Sequence, residues 1–428
     1  MSILKPLRYP SYRCFFLGQI TSMAGTTMQA MVQGWLAFQL THSTTWIGML
    51  LCCQQGVSCL ISPYAGRLAD KMNRRVLFIA VELGAMIQAL LLAACVHWGT
   101  ITPALLAFLS IILGALIAFE LTLRHMMVAD MVGPEDLKHG VFLNSITLNL
   151  SRVLGPLVGI FMIGGDTLKW TERAFAVNGL SYGLVALLVA ISLRWPNQPI
   201  EENKVDAPEL QSTNVLAFLA YHKEIVALLL ASSFLGFFCY PYQTLLPAFA
   251  DEVLHGGARE LSWMVATAGI GAIFSCLSSP SDAFLTNPFQ SLAIRILVLA
   301  ASLYGLSRSH NLLFACFFLF FLGFCLHGSF PLINCAIQKR TSNQFRARIV
   351  SLYSMTTLGS LPLGSLFFGH LSDLLGPGVT CTITSSFTVI LGICCFPSVQ
   401  RQLGTSLVYL NKKKSWVAAC LAKITFVE

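Results

Sequence analysis

The chain has 428 residues, of which 55% are hydrophobic and only 11% are charged, and its formal net charge is +8. Soluble domains carry about 25% charged residues, so this composition cannot supply the polar surface that a soluble fold of this length needs. It excludes a soluble enzyme, a nucleic-acid factor and a disordered protein, and it predicts an all-α membrane protein.

Long stretches without Asp, Glu, Lys or Arg predict twelve membrane-spanning helices. A spanning helix needs about 20 apolar residues, so each of the two longest stretches holds two spans, separated by turns at 42–45 and 97–100. Two other spans contain a single arginine, Arg152 or Arg295. The apolar stretches are 14–66, 83–119, 139–165, 174–193, 225–250, 261–281, 288–307, 309–338, 349–372 and 374–400.

The positions of the basic residues predict the orientation of the chain. Lys and Arg concentrate on the cytoplasmic loops of membrane proteins. With both termini in the cytoplasm, nearly all loop cations fall on the cytoplasmic side, so the net charge is an orientation signal rather than a nucleic-acid site. The loop cations on the outer side are Lys169, Arg173, Arg259 and Arg308.

The first span carries a polar stripe on one helical face, because its members lie three or four residues apart. Polar groups are costly against lipid, so the stripe faces either a substrate path or a neighbouring helix. Polar residues of span 7 extend this neutral, partly aromatic lining, which suits a bulky organic molecule better than a small ion. The substrate-path candidates are Ser22, Thr26, Gln29, Gln33, Tyr240 and Gln243.

The loop between spans 2 and 3 contains a latch motif, defined by Gly66, Asp70, Arg74 and Arg75. Glycine lets two helices approach closely, and an aspartate accepts hydrogen bonds from a neighbouring helix N-terminus. The cations hold the loop at an anionic leaflet. We predict that the motif closes the cytoplasmic side of the protein; simple positive-inside charge is the alternative.

Ionisable residues inside spans are candidates for ion coupling, because a charge is costly to leave unpaired in lipid. Glu120 lies near the depth of Arg152 but also four residues before Arg124, so an interhelical and a local ion pair both stay open. His327 in span 10 is a proton-binding candidate or a histidine bonded to the backbone. We expect Glu82, near the start of span 3, to pair with the basic loop before it.

An internal repeat predicts two related halves of six spans each. Motifs of the first half recur about 209 residues later, so that Gly155 of span 5 corresponds to Gly364 of span 11. Such repeats are typical of transporters whose site lies between the repeats near the midplane. The predicted units are 1–194 for the N-terminal half, 195–217 for the cytoplasmic central loop, 218–396 for the C-terminal half and 397–428 for a cytoplasmic tail.

The sequence lacks the signatures of metal and nucleotide sites. The 14 cysteines show no CxxC pair or His/Cys ligand spacing, and the chain holds no GxxxxGK[ST] loop. We therefore expect no metal, no cofactor, no enzymatic activity and no ATP hydrolysis. The expected partners are the lipid bilayer, a small organic substrate and protons.

The latch motif is similar to the loop 2–3 signature of major facilitator superfamily (MFS) transporters. From 12 to 396 the chain resembles the bacterial branch of this superfamily that contains the enterobactin-type siderophore exporters. The segments that carry this resemblance include 124–137, 152–159 and 346–348.

Span 5 adds a helix-packing motif that partly matches the antiporter motif of proton-driven drug exporters, formed by Gly155, Pro156 and Gly159. This match favours export over uptake. The chain departs from the family pattern in the loop between spans 8 and 9, where only Asp282 is kept from a second latch. It also departs in span 4, which lacks the early arginine of drug/proton antiporters.

The resemblance implies the MFS fold, with twelve transmembrane helices in two six-helix pseudo-symmetric halves. It implies a bacterial inner-membrane transporter that exports a siderophore or drug-like molecule by alternating access with proton antiport. Uptake or lipid-related transport on the same fold is one alternative. A non-transporting membrane sensor on an MFS scaffold is the alternative from another class.

Overall fold

The computed structural model describes residues 5–162, 167–192, 215–278 and 288–392, and these ranges are helical without β-strands. The loop between spans 8 and 9 with Asp282, the central loop up to residue 214 and the whole predicted tail at 397–428 lie outside the described residues. Short helices at Lys5–Arg8 and Val215–Tyr221 precede the first and seventh long helices. The long helices are α1 (Pro10–Thr41), α2 (Thr44–Lys71), α3 (Arg74–His97), α4 (Pro103–Gly133), α5 (Glu135–Met162), α6 (Thr167–Ile191), α7 (Lys223–Val253), α8 (Ala258–Ser278), α9 (Pro288–Ser307), α10 (Leu312–Arg340), α11 (Asn343–Leu375) and α12 (Pro377–Gly392).

Nine helices in the described ranges are long and apolar enough to cross a bilayer. Helices α1 and α11 are also long enough, with 32 and 33 residues, but they are more polar. The described part of α12 is too short to span by itself. The predicted all-α, multi-pass architecture is confirmed, whereas the count of twelve spans stays a prediction.

Local sequence explains several helix ends. Gly133 has a φ of +75°, which favours glycine, and it separates α4 from α5. The Asn73 side chain caps α3 by accepting hydrogen bonds from the amides of Arg75 and Val76 at 3.0 and 3.3 Å. Asn311 caps α10 in the same way. The residues that flank these helices therefore determine where the helices begin and end.

Helices α2 and α7 contain turns that depart from regular α-helix geometry. A π-helical turn interrupts α2 at Cys52–Gly56, and two more interrupt α7 at Leu235–Cys239 and Phe249–Val253. Such turns are common at functional sites. The α2 turn contains Gln54 and Gln55, and Tyr240 directly follows the first α7 turn; all three side chains line a cavity between the halves.

The two halves pack their helices in the same pattern. A Cβ built at Gly155 would collide with the α1 backbone near Met28, and one at Gly364 would collide with the α7 backbone at Phe237. Both contacts require a glycine, because the backbones touch directly. The same offset of 209 residues relates Gly114, which touches the α2 backbone, to Gly323, which touches the α8 backbone. It also relates Gly183, which lies against the Met86 side chain of α3, to Gly392, which lies against the Ile296 side chain of α9.

The halves meet closely at one end of the bundle and separate at the other. We name these ends the α1–α2 face and the α2–α3 face after their loops. Near the α1–α2 face, a Cβ built at Gly48 would collide with the α11 backbone, and the Cys52 thiol donates to the carbonyl of Pro362 at 3.0 Å. Toward the α2–α3 face, a Cβ at Gly56 or Gly359 would meet no atom within 4 Å. The space between the halves is therefore closed at the α1–α2 face.

Candidate functional site

A cavity of about 270 Å³ lies between the two halves. Helices α1, α2 and α5 line it from the N-terminal half, and α7, α8 and α10 line it from the C-terminal half. No carboxylate is found among the lining residues that the structure describes. The polar lining consists of Thr27, Gln33, Gln54, Gln55, Arg152, Tyr240, Tyr242, Gln243 and His327.

Arg152 gives the cavity its positive charge. Its backbone carbonyl lies so close to Gly269 of α8 that a Cβ there would collide with it, which fixes the arginine at the junction of the halves. The guanidinium donates to the Asn149 amide oxygen at 3.2 Å, and Arg152 shares the cavity lining with His327 and Tyr240. A cation without an opposing carboxylate in the lining suits an anionic ligand.

The remaining lining combines amides with aromatic rings. Gln33 donates to Ser110 Oγ at 2.6 Å, and Gln243 donates to the Tyr242 hydroxyl at 3.3 Å. Of the substrate-path candidates, the structure brings Gln33, Tyr240 and Gln243 to this cavity. Sequence reasoning missed Gln54 and the neighbouring Gln55, whose signal was a glutamine pair in the middle of an apolar span.

Two other members of the α1 polar stripe bond to neighbouring helices of the same half. Thr26 shares a hydrogen bond of 2.8 Å with the Tyr182 hydroxyl. Gln29 accepts from Asn178 at 2.7 Å and donates to Gln88 at 3.3 Å. Helix-to-helix hydrogen bonding, the alternative interpretation of the stripe, therefore describes Thr26 and Gln29. Ser22 is buried, and its hydroxyl has no hydrogen-bond partner among the described residues.

A second polar cluster lies within the N-terminal half, where α3, α4 and α6 meet. Glu82 is buried and shares a narrow cleft with Glu120 and Tyr182. Glu120 forms the local ion pair, with its carboxylate 3.8 Å from Arg124 Nη1. Arg152 lies instead at the central cavity, and Glu82 faces this cleft rather than the basic loop with which we expected it to pair.

The arginines of the latch motif bind within the N-terminal half. Arg74 Nη1 lies 2.8 and 3.0 Å from the carboxylate oxygens of Asp130 on α4. Arg75 donates to three backbone carbonyls at the end of α6. Asp70 is exposed, and a Cβ at Gly66 would meet no atom within 4 Å. Within the part of the chain that the structure describes, Asp70 forms no hydrogen bond or ion pair, and closure of this face by the latch motif stays a prediction.

The opposite face is held by a carboxylate that sequence reasoning missed. Asp373, in the last turn of α11, accepts hydrogen bonds from the amides of Thr44 and Thr45 at 2.5 and 3.1 Å. It also accepts from their hydroxyls and from Ser43 Oγ. The carboxylate thus caps the N-terminus of α2, where negative charge is stabilised, and it ties the two halves together.

The structure also places two other residues that the sequence singles out, Gly159 of the span 5 motif and Arg295 of span 9. Gly159 of the span 5 motif accepts a hydrogen bond from Trp170 through its carbonyl at 2.9 Å, while Pro156 lines the central cavity. Arg295 is buried and donates to Ser275 Oγ at 3.0 Å. Within the described ranges, no group of three His, Cys, Asp or Glu side chains is placed to bind a metal ion.

These features can be compared with known proteins. Residues 1–409 match the MFS_3 family, described as "Transmembrane secretion effector". The chain belongs to this family. It is also 21% identical over 399 residues to the staphyloferrin A transporter of Staphylococcus aureus, covering 93% of this chain and 98% of that protein. It is 24% identical over 400 residues to the enterobactin exporter EntS of Shigella flexneri, covering 92% of each protein.

Solved structures of transporters have the same fold as this chain. A bacterial homologue of the human lysosomal transporter Spinster, in an inward-facing and unoccupied conformation, superposes with a TM-score of 0.71 at 16% identity. That alignment covers 92% of this chain and 97% of the other. The nucleoside transporter NupG gives a TM-score of 0.69 at 13% identity, with 90% and 98% covered. The MFS_3 protein therefore has the MFS transporter fold, and it is a multi-pass membrane transporter rather than an enzyme.

Proposed function

We propose that this MFS_3 transporter exports an organic anion of the siderophore class from the cytoplasm, using proton antiport. The observation that carries the proposal is the cavity between the halves, whose lining holds Arg152 and His327 and no described carboxylate. An organic anion can place its negative oxygen atoms beside the Arg152 guanidinium in such a site. The names of the staphyloferrin A and enterobactin relatives support the same substrate class.

The aromatic and amide residues around Arg152 extend this recognition. Tyr240 and Tyr242 offer ring faces and hydroxyl groups, and the glutamines donate and accept hydrogen bonds. Pockets of this kind bury most of a bulky ligand while a few polar groups fix its orientation. The lining therefore suits an anion with substantial apolar or aromatic surface.

The two faces of the bundle support alternating access. In the proposed orientation the α2–α3 face is cytoplasmic, because the basic loops lie there, and the protein resides in the bacterial inner membrane with both termini in the cytoplasm. The described conformation, closed at the α1–α2 face, then presents the cavity to the cytoplasm. Export requires release of Asp373 from α2 and closure of the opposite face through Asp70.

Metabolite profiling tests the proposal. A strain without the protein is grown in iron-poor medium beside its parent, and siderophores are quantified in medium and cell extract. Export predicts a siderophore that is depleted outside and accumulated inside, with recovery on return of the wild-type chain. Return of Arg152→Gln restores no export, whereas the matched control Arg308→Gln, at an exposed position, restores it.

Other outcomes contradict the proposal in distinct ways. Loss of a compound from the cell without any change in the medium indicates uptake. Unchanged metabolites in both iron-poor and iron-rich media, together with equal growth, favour a sensor on the same scaffold. Export that is equal for Arg152→Gln and wild type removes the anion-binding role of the cavity.

A further inference from the structure

The cleft between α3, α4 and α6 contains charged groups that the central cavity does not use. Glu82 is 1% exposed, and neither of its carboxylate oxygens has a hydrogen-bond partner among the described residues. The titratable and charged groups that face it are Glu120 and Arg124 from α4 and Tyr182 from α6. An ionised carboxylate without such a partner is very costly to bury.

The charges of this cluster do not balance when both acids are ionised. Arg124 is 5% exposed and offsets one carboxylate, with Glu120 at 3.8 Å. The second carboxylate then leaves a net negative charge in a buried site, and like charges disfavour ionisation of both members of a pair. One proton on the pair makes the cluster neutral.

The cluster is connected to the central cavity through α1. Tyr182, which lines the cleft, shares its hydroxyl hydrogen bond with Thr26, and Arg124 Nη1 lies 2.8 Å from Met23 Sδ on the same helix. The next residue along α1, Thr27, lines the central cavity and donates to the Ser151 carbonyl at 2.7 Å. A change in the charge of the cleft thus acts on a helix that also forms the cavity wall.

We propose that Glu82 and Glu120, balanced by Arg124, form the proton-carrying site of this transporter and share one exchangeable proton. The inference rests on the proposed proton antiport and gives it a location separate from the anion site. The chemical step is an O–H bond formed between a carboxylate oxygen and a proton from water, and broken when the proton returns to water on the other side. Loss of the proton leaves a buried negative charge that shifts α1 and favours the other conformation.

Infrared spectroscopy of the purified full-length protein tests the site without any substrate. The carbonyl stretch of a protonated carboxylic acid is followed across a pH titration, with deuterium exchange to identify it. Wild type shows a band whose intensity changes with pH. This band is absent from Glu82→Gln and Glu120→Gln. It is present in Glu82→Asp, which keeps a carboxylate, and in the matched control Glu172→Gln. Size-exclusion chromatography confirms folding of each variant, which the isosteric, neutral glutamine preserves. Spectra of Glu82→Gln and Glu120→Gln identical to wild type at every pH would overturn the proposal.

Transport in proteoliposomes provides the second readout, with enterobactin and staphyloferrin A as probes and an imposed pH gradient. Wild type moves a probe faster with the gradient, whereas Glu82→Gln loses this stimulation and keeps exchange of the probe without a gradient. Stimulation of Glu82→Gln equal to wild type overturns the proton-carrying role. If wild type moves neither probe, the substrate proposal fails, and the infrared titration alone decides whether the acid pair binds a proton.

Discussion

The two halves of the protein share their packing but not their charges. The 209-residue offset that pairs Gly114 with Gly323 also places Ser291 and Ser329 at the positions of Glu82 and Glu120. Both serines are buried, and Ser329 Oγ donates to a backbone carbonyl of its own helix. The N-terminal half therefore has the buried Glu82 and the partly buried Glu120 where the C-terminal half has small neutral side chains.

This difference separates two requirements of a duplicated helix bundle. Close contact between helix backbones needs small residues at the same positions in both copies, because a Cβ has no room there. A buried charge, in contrast, costs free energy in each copy that contains it. The close backbone contacts are thus common to both halves. Within the described ranges the acid cleft is found in the N-terminal half alone, and the aromatic part of the cavity lining comes from the C-terminal half.

Charge reversal at the cavity arginine gives the largest expected effect. Arg152→Glu places an anion where the proposed substrate anion binds, so we expect export to slow by roughly 30-fold or more, since breaking a buried charge contact costs about 2–5 kcal/mol. Arg295→Gln, which changes the buried arginine of the other half, instead lowers stability and leaves export per folded molecule unchanged. Siderophore efflux and melting curves measured on both variants check this contrast; equal loss of efflux contradicts it.

The shared packing predicts equal damage from equivalent substitutions in the two halves. Gly155→Val and Gly364→Val each force two helix backbones apart, and overpacking of this kind costs about 1–3 kcal/mol or more. Gly359→Ala is the matched control, because its Cβ meets no atom within 4 Å. Folded yield and Tm from size-exclusion chromatography and thermal melting provide the measurement. A large loss in only one half would contradict the equivalence of the two packing contacts.

The two faces of the bundle predict opposite effects for two aspartates. Asp373→Asn weakens the cap on α2, at a cost of about 1 kcal/mol for an impaired helix cap, and roughly fivefold more molecules open the α1–α2 face. Asp70→Asn slows transport without preventing membrane insertion, because it weakens closure of the α2–α3 face.

Distances between spin labels at Trp98 and Leu313 measure the opening of the α1–α2 face. Both positions are exposed at that face, one in each half. Asp373→Asn is expected to increase the population with a long distance, and Asp70→Asn is expected not to. Unchanged distances for Asp373→Asn mean that the helix contacts alone keep this face closed, and full transport by well-expressed Asp70→Asn refutes the latch.

The helices and the repeat could be predicted because their signals lie within single segments. The apolar stretch 309–338 corresponds to α10 at Leu312–Arg340, and the repeated glycines are visible as letters in the sequence. Arg152 and His327 are also visible as ionisable residues in apolar surroundings, and both reach the cavity. An ionisable side chain in an apolar segment can be recognised from the sequence alone, whichever helices surround it.

The acid cleft and the cap by Asp373 could not be predicted in the same way, because they depend on which helices pack together. The pairing of Glu82 with Glu120 follows from the meeting of α3, α4 and α6, which no periodicity within one helix specifies. Asp373 had a usable signal, since an acid in the last turn of a helix is unfavourable for its own dipole. Such an acid suits another helix's N-terminus, here the one that begins at Ser43 and Thr44.

Ion pairs near the α2–α3 face give the smallest expected contrast between the halves. Arg74 pairs with Asp130, which is 9% exposed, whereas Arg340 pairs at 3.2 Å with Glu224, which is 61% exposed. Solvent screens the second pair, so Arg340→Gln costs about 0.2–1 kcal/mol of stability. Arg74→Gln leaves the nearly buried Asp130 carboxylate without its two charged hydrogen bonds to Arg74, each of which contributes about 1.5–3 kcal/mol.

Thermal melting at low and high salt distinguishes these two pairs. The effect of Arg340→Gln shrinks as salt rises, because an exposed pair is screened within a Debye length, while the effect of Arg74→Gln persists. The double variant Arg74→Gln with Asp130→Asn recovers part of the lost stability, since it removes the buried charge along with its partner. Equal salt dependence for the two arginines would mean that burial of Asp130 does not set the strength of its pair, and the predicted contrast would be lost.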